Sequence, residues 1–269
     1  MLKILYEDNH IIAAEKPPGV LSQADSTGDP DMLGILKEYL KVKYEKPGNV
    51  FLGLVHRLDR PAGGIMVFAR TSKAASRLSS QIRNREFGKE YLAVVKGSPC
   101  QGRKVVLRDF IVKDAKENKA AVADETAAGS MEALLEYECI ADYRSGNGSE
   151  SGSGIESGSA KEQLSLVRIV ILTGRPHQIR LQMANAGFPL YGDKKYGTYR
   201  SAENKNGGSG EKYGSNRTEK LALWACRIAF VHPALKKEIV VTSLPPFDEE
   251  IPWKYFEKYY IPITSSWPS

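Results

Sequence analysis

The chain has 269 residues with 38 Lys+Arg against 32 Asp+Glu, a formal net charge of +6 and a sequence pI near 9.0. That length suits one or two domains and needs no disulfide or metal staple for its core. With 42% hydrophobic and 26% charged residues, three scattered cysteines and no long apolar run, the composition argues against a membrane protein, a secreted miniprotein and a zinc finger.

The start reads as a hairpin, Leu2–Tyr6 and His10–Glu15 around a turn at Glu7–Asn9, closed by Pro17-Pro18-Gly19. Its charges break the apolar run, so it does not read as a signal peptide, and the expected setting is the cytoplasm. Helical spacing of Met32, Leu36, Tyr39 and Leu40 predicts a helix over Asp31–Tyr44. Gly64–Ala69 is a short apolar strand. Ser72–Asn84 is a helix with Ala74, Ala75, Leu78 and Ile82 inward and Lys73 and Arg77 outward.

Further strands are expected at Glu90–Lys96, Val105–Val112, Ala133–Ala141, Leu164–Leu172, Leu221–Phe230 and Glu238–Thr242, and a closing helix at Ile251–Tyr260. Pro176 fits the first position of a helix that Gly187 caps, which would put His177 and Arg180 on one face. Strands outnumber helices and few alternate in βαβ order. The expected class is α+β, a mixed, largely antiparallel sheet with flanking helices. Ser145–Ser159 is Ser or Gly at 11 of 15 positions, and Arg200–Thr218 is similarly polar. Both read as flexible insertions, at about 145–163 and 200–218, in a single domain spanning 1–269.

The charge is concentrated. Ten basic residues between Arg70 and Arg108 face only Glu86 and Glu90, which makes this stretch +8 and the remainder −2. Such clustering is either a solvated face or the footprint of a polyanion site.

Three segments could carry chemistry. HRLDRPAGG at 56–64 places Asp59 among His56, Arg57 and Arg60 on a loop before a buried strand. Read alone, Asp59 could cap that loop or act as a catalytic carboxylate; no nucleophile elbow or metal-ligand spacing accompanies it. In Lys89-Glu90-Tyr91 the tyrosine could be a core residue or a stacking platform for a base. In TGRPHQIRLQMANAG at 173–187, Arg180 could hold a distant carboxylate ionised. His56 reads as a supporting loop residue.

In this order the three segments resemble the RluA-type pseudouridine synthases. HRLD at 56–59 is similar to the family's catalytic motif, KEYLAVVKG at 89–97 to its second motif and GRPHQIR at 174–180 to its third. ILYEDNHIIAAEKPPGV and GFPLYGDKKYG also look like family elements. The resemblance runs from about Leu2 to Thr242. It implies a pseudouridine synthase-like fold, RNA as partner and no metal or other cofactor. The implied catalytic residues are Asp59, Tyr91 and Arg180, with Arg180 pairing with Asp59. Arg57, Arg60, Lys73, Arg77, Arg83, Arg85, Lys89 and His177 are the candidate RNA contacts.

The implied reaction is isomerisation of uridine in ribosomal or transfer RNA. The bond from sugar to nitrogen breaks, the base turns, and a bond to carbon forms. The resemblance leaves Asp59 open as nucleophile or base. Two departures stand out. Ala62-Gly63 replaces the usual Ser or Thr-Ser, which is expected to loosen the loop behind Asp59, and Gln182 stands where a histidine is common. The chain opens at the catalytic hairpin, so RNA selection is expected to fall to this domain, as a monomer. A non-catalytic RNA-binding or RNA-chaperone protein on the same fold is the second reading.

Overall fold

The computed structural model describes residues 2–99, 102–114, 119–144, 163–197, 220–248 and 250–259. The two Ser/Gly-rich segments and Cys100 fall outside them, apart from Gln163, which begins a strand.

β1 (Lys3–Glu7) and β2 (Ile11–Lys16) form the expected hairpin. Asp8 shapes its turn: Oδ1 accepts the backbone N–H of His10 at 2.7 Å and of Ile11 at 2.8 Å. α1 (Met32–Lys43) starts at Asp31, whose side chain accepts the Gly34 N–H, and buries Met32, Leu36 and Leu40. A two-residue strand, β3 (Gly53–Leu54), then pairs with β4 (Gly63–Ala69), every residue of which is buried. α2 (Ser72–Arg83) is capped by Thr71 and buries Ala74 and Leu78.

The remaining strands are β5 (Gly88–Lys96), β6 (Lys104–Asp114), β7 (Lys119–Ala123), β8 (Met131–Arg144), β9 (Gln163–Ile171), β10 (Leu223–Val231) and β11 (Glu238–Thr242). α3 (Gln178–Asn185) lies between β9 and β10. The strands join one sheet in the order β1-β2-β4-β10-β5-β9-β8-β6-β7, with β11 on β10 and β3 on β4. Among the described pairings only β10 with β4 is parallel, so the sheet is mixed and largely antiparallel.

Alternation along the strands separates the two faces. Ile12, Tyr91, Ala93 and Val167 point to the face covered by α1 and α3, where Leu36, Leu40, Ile179 and Met183 meet them. On the other face Ile11, Ala13, Ile65 and Val67 pack with Leu78 of α2, and Leu92, Val94 and Trp224 with Trp253 and Phe256.

Three local expectations change. The helix expected from Pro176 begins at Gln178, because the Gln178 side chain takes the place of a helical turn: its Oε1 accepts the Arg175 N–H at 3.0 Å and the Thr173 hydroxyl at 2.8 Å. His177 is therefore the N-cap, at φ 53, and does not share a helical face with Arg180. The closing helix is 3₁₀, Trp253–Tyr259. β3 and β7 carry no expectation, one for its length and the other for its Ala-rich sequence, KAAVA.

Candidate active site

Asp59 sits on a loop whose backbone is fastened on both sides. The Ser22 hydroxyl donates to the Leu58 carbonyl at 2.7 Å and accepts the Leu58 N–H at 3.1 Å. Beyond Asp59, the Arg60 carbonyl accepts from Lys16 Nζ at 3.0 Å and from the Gly19 N–H at 2.8 Å. Lys16 is fully buried and also donates to the carbonyls of Pro17 and Val20. Burial lowers its pKa to about 8, with Asp59 opposing and Arg60 adding to the fall.

The Asp59 carbonyl closes the turn by accepting the Ala62 N–H at 3.0 Å. Ala62 is buried, and a Cβ on Gly63 would stand 2.3 Å from the Trp224 ring. Ala62-Gly63 is thus tightly packed, and the expected loosening does not occur. Gly64 is more constrained still, at φ +111 with its Cβ position 2.3 Å from the Ala225 carbonyl. Only glycine allows β4 and β10 to approach there.

The Asp59 side chain is 26% exposed, and its Oδ2 accepts from Arg180 Nη1 at 3.2 Å. Arg180, 6% exposed, is in turn gripped by Asp193 through Nε and Nη2, both at 2.8 Å. Burial opposes the Arg180 charge, but the Asp193 and Asp59 carboxylates outweigh it and raise its pKa. Tyr91 is buried on β5; burial first, then the Asp59 charge, raises its phenol pKa.

Asp59, Tyr91 and Arg180 line one cavity of about 1290 Å³ between the Leu54–Ala62 loop and the Ile171–Arg180 segment. That exceeds the roughly 300–1,000 Å³ of a small-molecule pocket. It has room for a nucleotide together with its neighbours. Arg57, Arg60, Arg83, Arg85, Lys89, Lys113 and Arg175 also line it, against Asp25 and Asp59 as the acids. Burial lowers the Lys89 pKa.

Other candidates fall elsewhere. Lys73 and Arg77 do not line the cavity, and Arg77 donates to the Pro233 carbonyl. The +8 stretch is no continuous face: Arg70 turns back to Glu7 and Asp8, Lys104 pairs with Glu136, and Arg108 with Glu132. Of its ten cations only Arg83, Arg85 and Lys89 line the cavity. Arg60 lines the cavity but is tied to Asp29 at 2.7 Å and to the Gly19 carbonyl.

His56 supports the fold. Its Nε2 accepts the Val67 N–H at 3.0 Å, and burial, helped by nearby Lys89, lowers its pKa to about 3. His177 lines the cavity, and its Nδ1 meets the Tyr196 hydroxyl at 2.8 Å. That hydroxyl also accepts the Ala120 N–H at 2.8 Å, so Tyr196 ties His177 to the start of β7. Burial lowers the His177 pKa. Gln182 is a strut, donating to the Leu107 and Ala133 carbonyls and to Asp109.

The sequence matches the family model of RNA pseudouridylate synthase over residues 10–185. The chain belongs to this family. It is an RNA pseudouridine synthase, an isomerase. It is 29% identical over 243 residues to the tRNA pseudouridine synthase C of Haemophilus influenzae, which covers 90% of this chain and 92% of that protein. To the ribosomal large subunit pseudouridine synthase C of Buchnera aphidicola it is 28% identical, over 90% of this chain and 66% of the other. Its fold is that of human RNA Pseudouridylate Synthase Domain Containing 4, with a TM-score of 0.65, 22% identity and coverage of 91% and 89%.

Sequence reasoning missed Lys16, Ser22, Lys113, Arg175, Asp193 and Tyr196. Three of the segments that hold them, EKPPGV, GRPHQIR and GFPLYGDKKYG, resemble family elements, but none pointed to a role for Lys16, Arg175, Asp193 or Tyr196.

Proposed function

We propose that this synthase isomerises a uridine of transfer or ribosomal RNA, with Asp59 as catalytic carboxylate, Tyr91 against the base and Arg180 as the partner of Asp59. The observation that carries this reading is the Asp59–Arg180 contact of 3.2 Å at the wall of a cavity whose rim is basic. A paired uridine is out of reach of any side chain, so the nucleotide must flip out and be held by stacking and edge contacts.

In the cavity the base meets the Tyr91 ring. Asp59, beside the guanidinium, attacks sugar or base, or removes a sugar proton, as the bond to nitrogen breaks. The freed base turns and rejoins the sugar through carbon; Asp59 gives back the bond or proton it took, that carbon loses its proton and the freed nitrogen gains one, so the product is an isomer. Arg57, exposed beside Asp59, fills the vacated stack or holds the backbone, while Arg83, Arg85 and Lys89 meet phosphates.

One continuous sheet through the described residues supports reading the chain as a single catalytic domain. Among them no helix is long and apolar enough to cross a membrane, and Cys139 and Cys226 are free, which supports a cytoplasmic setting. The test is Asp59→Asn on transfer and ribosomal RNA from cells lacking the protein. RNA binding is expected to survive while pseudouridine formation disappears; retained turnover would remove Asp59 from the mechanism.

A further inference from the structure

Asp193 lies 13 residues beyond Arg180, in the turn after α3, and its side chain is 1% exposed. It is anchored without reference to Arg180. Its Oδ1 accepts the backbone N–H of Lys195 at 2.8 Å and of Tyr196 at 3.0 Å, and its carbonyl accepts the Gly197 N–H at 2.9 Å. The preceding Gly192, at φ +70, has its Cβ position 2.1 Å from the Lys220 carbonyl, so the turn is packed from outside as well.

From this fixed base Asp193 takes two edges of the guanidinium, Nε on Oδ2 and Nη2 on Oδ1. A bidentate pair of this kind fixes direction as well as distance. The Tyr196 ring lies 5.3 Å below the guanidinium carbon and limits its tilt. Nη1 then points at one oxygen of Asp59, Oδ2.

Two carboxylates therefore share one buried cation unequally. Asp193 takes the close fork and Asp59 a single longer contact. Without Asp193 the fork would be free to close on Asp59 and occupy both of its oxygens.

We propose that Asp193 is a positioning residue for the isomerisation, holding Arg180 so that it orients Asp59 through one oxygen and leaves the other to react. This rests on the roles proposed above for Asp59 and Arg180. Asp193 touches no substrate; it acts through Arg180 alone.

The test uses the full chain and an RNA that the wild type modifies. Asp193→Asn keeps the shape but loses the charge and one acceptor. Its single-turnover rate is expected to fall about 100-fold, as for a misplaced catalytic group, while the RNA Kd stays within about threefold. A merely structural role would lower binding and rate together. In an Arg180→Gln background, Asp193→Asn should cost no further rate, because its route of action is already gone. This double variant also removes both buried charges, so it keeps the test open where the single variant fails to fold.

A wild-type rate in Asp193→Asn, or an equal loss in both backgrounds, would overturn the proposal. The clamp is also read without activity. The Arg180 Nε–H resonance, assigned by its absence from Arg180→Gln, is expected to exchange slowly with water in the wild type and fast in Asp193→Asn. Unchanged exchange overturns the clamp even if the enzyme is active. Loss of protection together with full activity of Asp59→Asn would instead bring down the catalytic reading on which the proposal stands.

Discussion

The buried ammonium of Lys16 donates to the carbonyl of Arg60 at 3.0 Å, although 44 residues separate the two. The contact joins the end of β2 to the loop of Asp59, the proposed catalytic carboxylate. Lys16 does this with its charge out of water, at a cost that shows in its lowered pKa. Three backbone carbonyls, of Pro17, Val20 and Arg60, compensate for that cost.

Lys16→Met removes the donor that those carbonyls share; that of Arg60 keeps the Gly19 N–H and that of Pro17 the Val20 N–H. The expected loss is about 1–3 kcal/mol, chiefly from the Val20 carbonyl left without its charged donor. Urea unfolding measures it. Turnover should fall by more than the folded fraction falls, since the Arg60 carbonyl beside Asp59 loses one of its two donors and keeps the Gly19 N–H. A variant as stable and as active as the wild type would show that the Gly19 and Ser22 contacts hold the loop alone.

Arg180→Met tests the site from the other side. It strands Asp193, whose side chain is 1% exposed and whose pKa is lowered, against the penalty of burial, by the hydrogen bonds and charge of Arg180. Breaking a buried pair by removing one partner costs about 3–5 kcal/mol. Arg180→Met should therefore melt well below Asp59→Asn, which leaves the Arg180–Asp193 pair intact. Equal melting points would mean that Asp193 finds another partner.

Asp59, Tyr91 and Arg180, the proposed catalytic residues, were legible as a group because they lie in three contiguous segments whose order is itself informative, and the fold brings them to one cavity. What supports them was not legible, for a physical reason. Lys16, Ser22, Asp193 and Tyr196 act through tertiary contacts with segments far from them in sequence, and a lysine at a strand end or an aspartate in a loop carries no local sign of being buried. The alternation of apolar residues fixed the strands and faces well, from Ile11–Lys16 to Glu238–Thr242. The reading from proline and glycine placement failed at Pro176, where the Gln178 side chain overrides the usual place of proline in a helix. The charge cluster misled for a similar reason. Arg70 and Arg108 are neighbours of Lys89 in composition, but Glu7 and Glu132, brought in by folding, take their charges.

His56 gives the fold a pH signature. Its pKa is about 3 in the folded protein against 6.5 ordinarily, because burial excludes the imidazolium. Between these values the unfolded chain binds a proton that the folded one does not, so stability falls as pH drops from about 6.5 toward 3. In His56→Gln the amide oxygen still accepts the Val67 N–H, and this dependence is gone. The stability advantage of wild type over His56→Gln should shrink between pH 7 and pH 4 in urea titrations. A constant gap would mean that the folded protein already admits the charged ring.

Gly64 sets the junction on which the site rests. Gly64→Ala places a methyl 2.3 Å from the Ala225 carbonyl in a backbone at φ +111, so both clash and strain oppose it. The parallel pairing of Trp224 with Gly63 and Ala225 with Gly64 must open, and with it the strand that carries Ala225 against Tyr91. The expected result is little soluble folded protein, read by circular dichroism. Gly19→Ala is the comparison: it also has positive φ, at +92, but meets nothing within 4 Å, and should cost about 1 kcal/mol.

If the cavity holds the RNA as proposed, the cations that line it set the salt response of binding. Arg83 and Arg85 are exposed at its rim, whereas Lys73 and Arg77, on the same helix as Arg83, lie off it. Each phosphate contact with single-stranded RNA contributes about 0.7 to the slope of log affinity against log salt. Replacing Arg83 and Arg85 together by alanine should therefore flatten that slope by about 1.4 if both meet phosphates. Replacing Lys73 and Arg77 should leave it where it was, because their side chains face away from the cavity. Equal effects of the two double variants would mean that the RNA runs along the whole outer face of α2, as the charge count alone suggests, and not along the cavity rim.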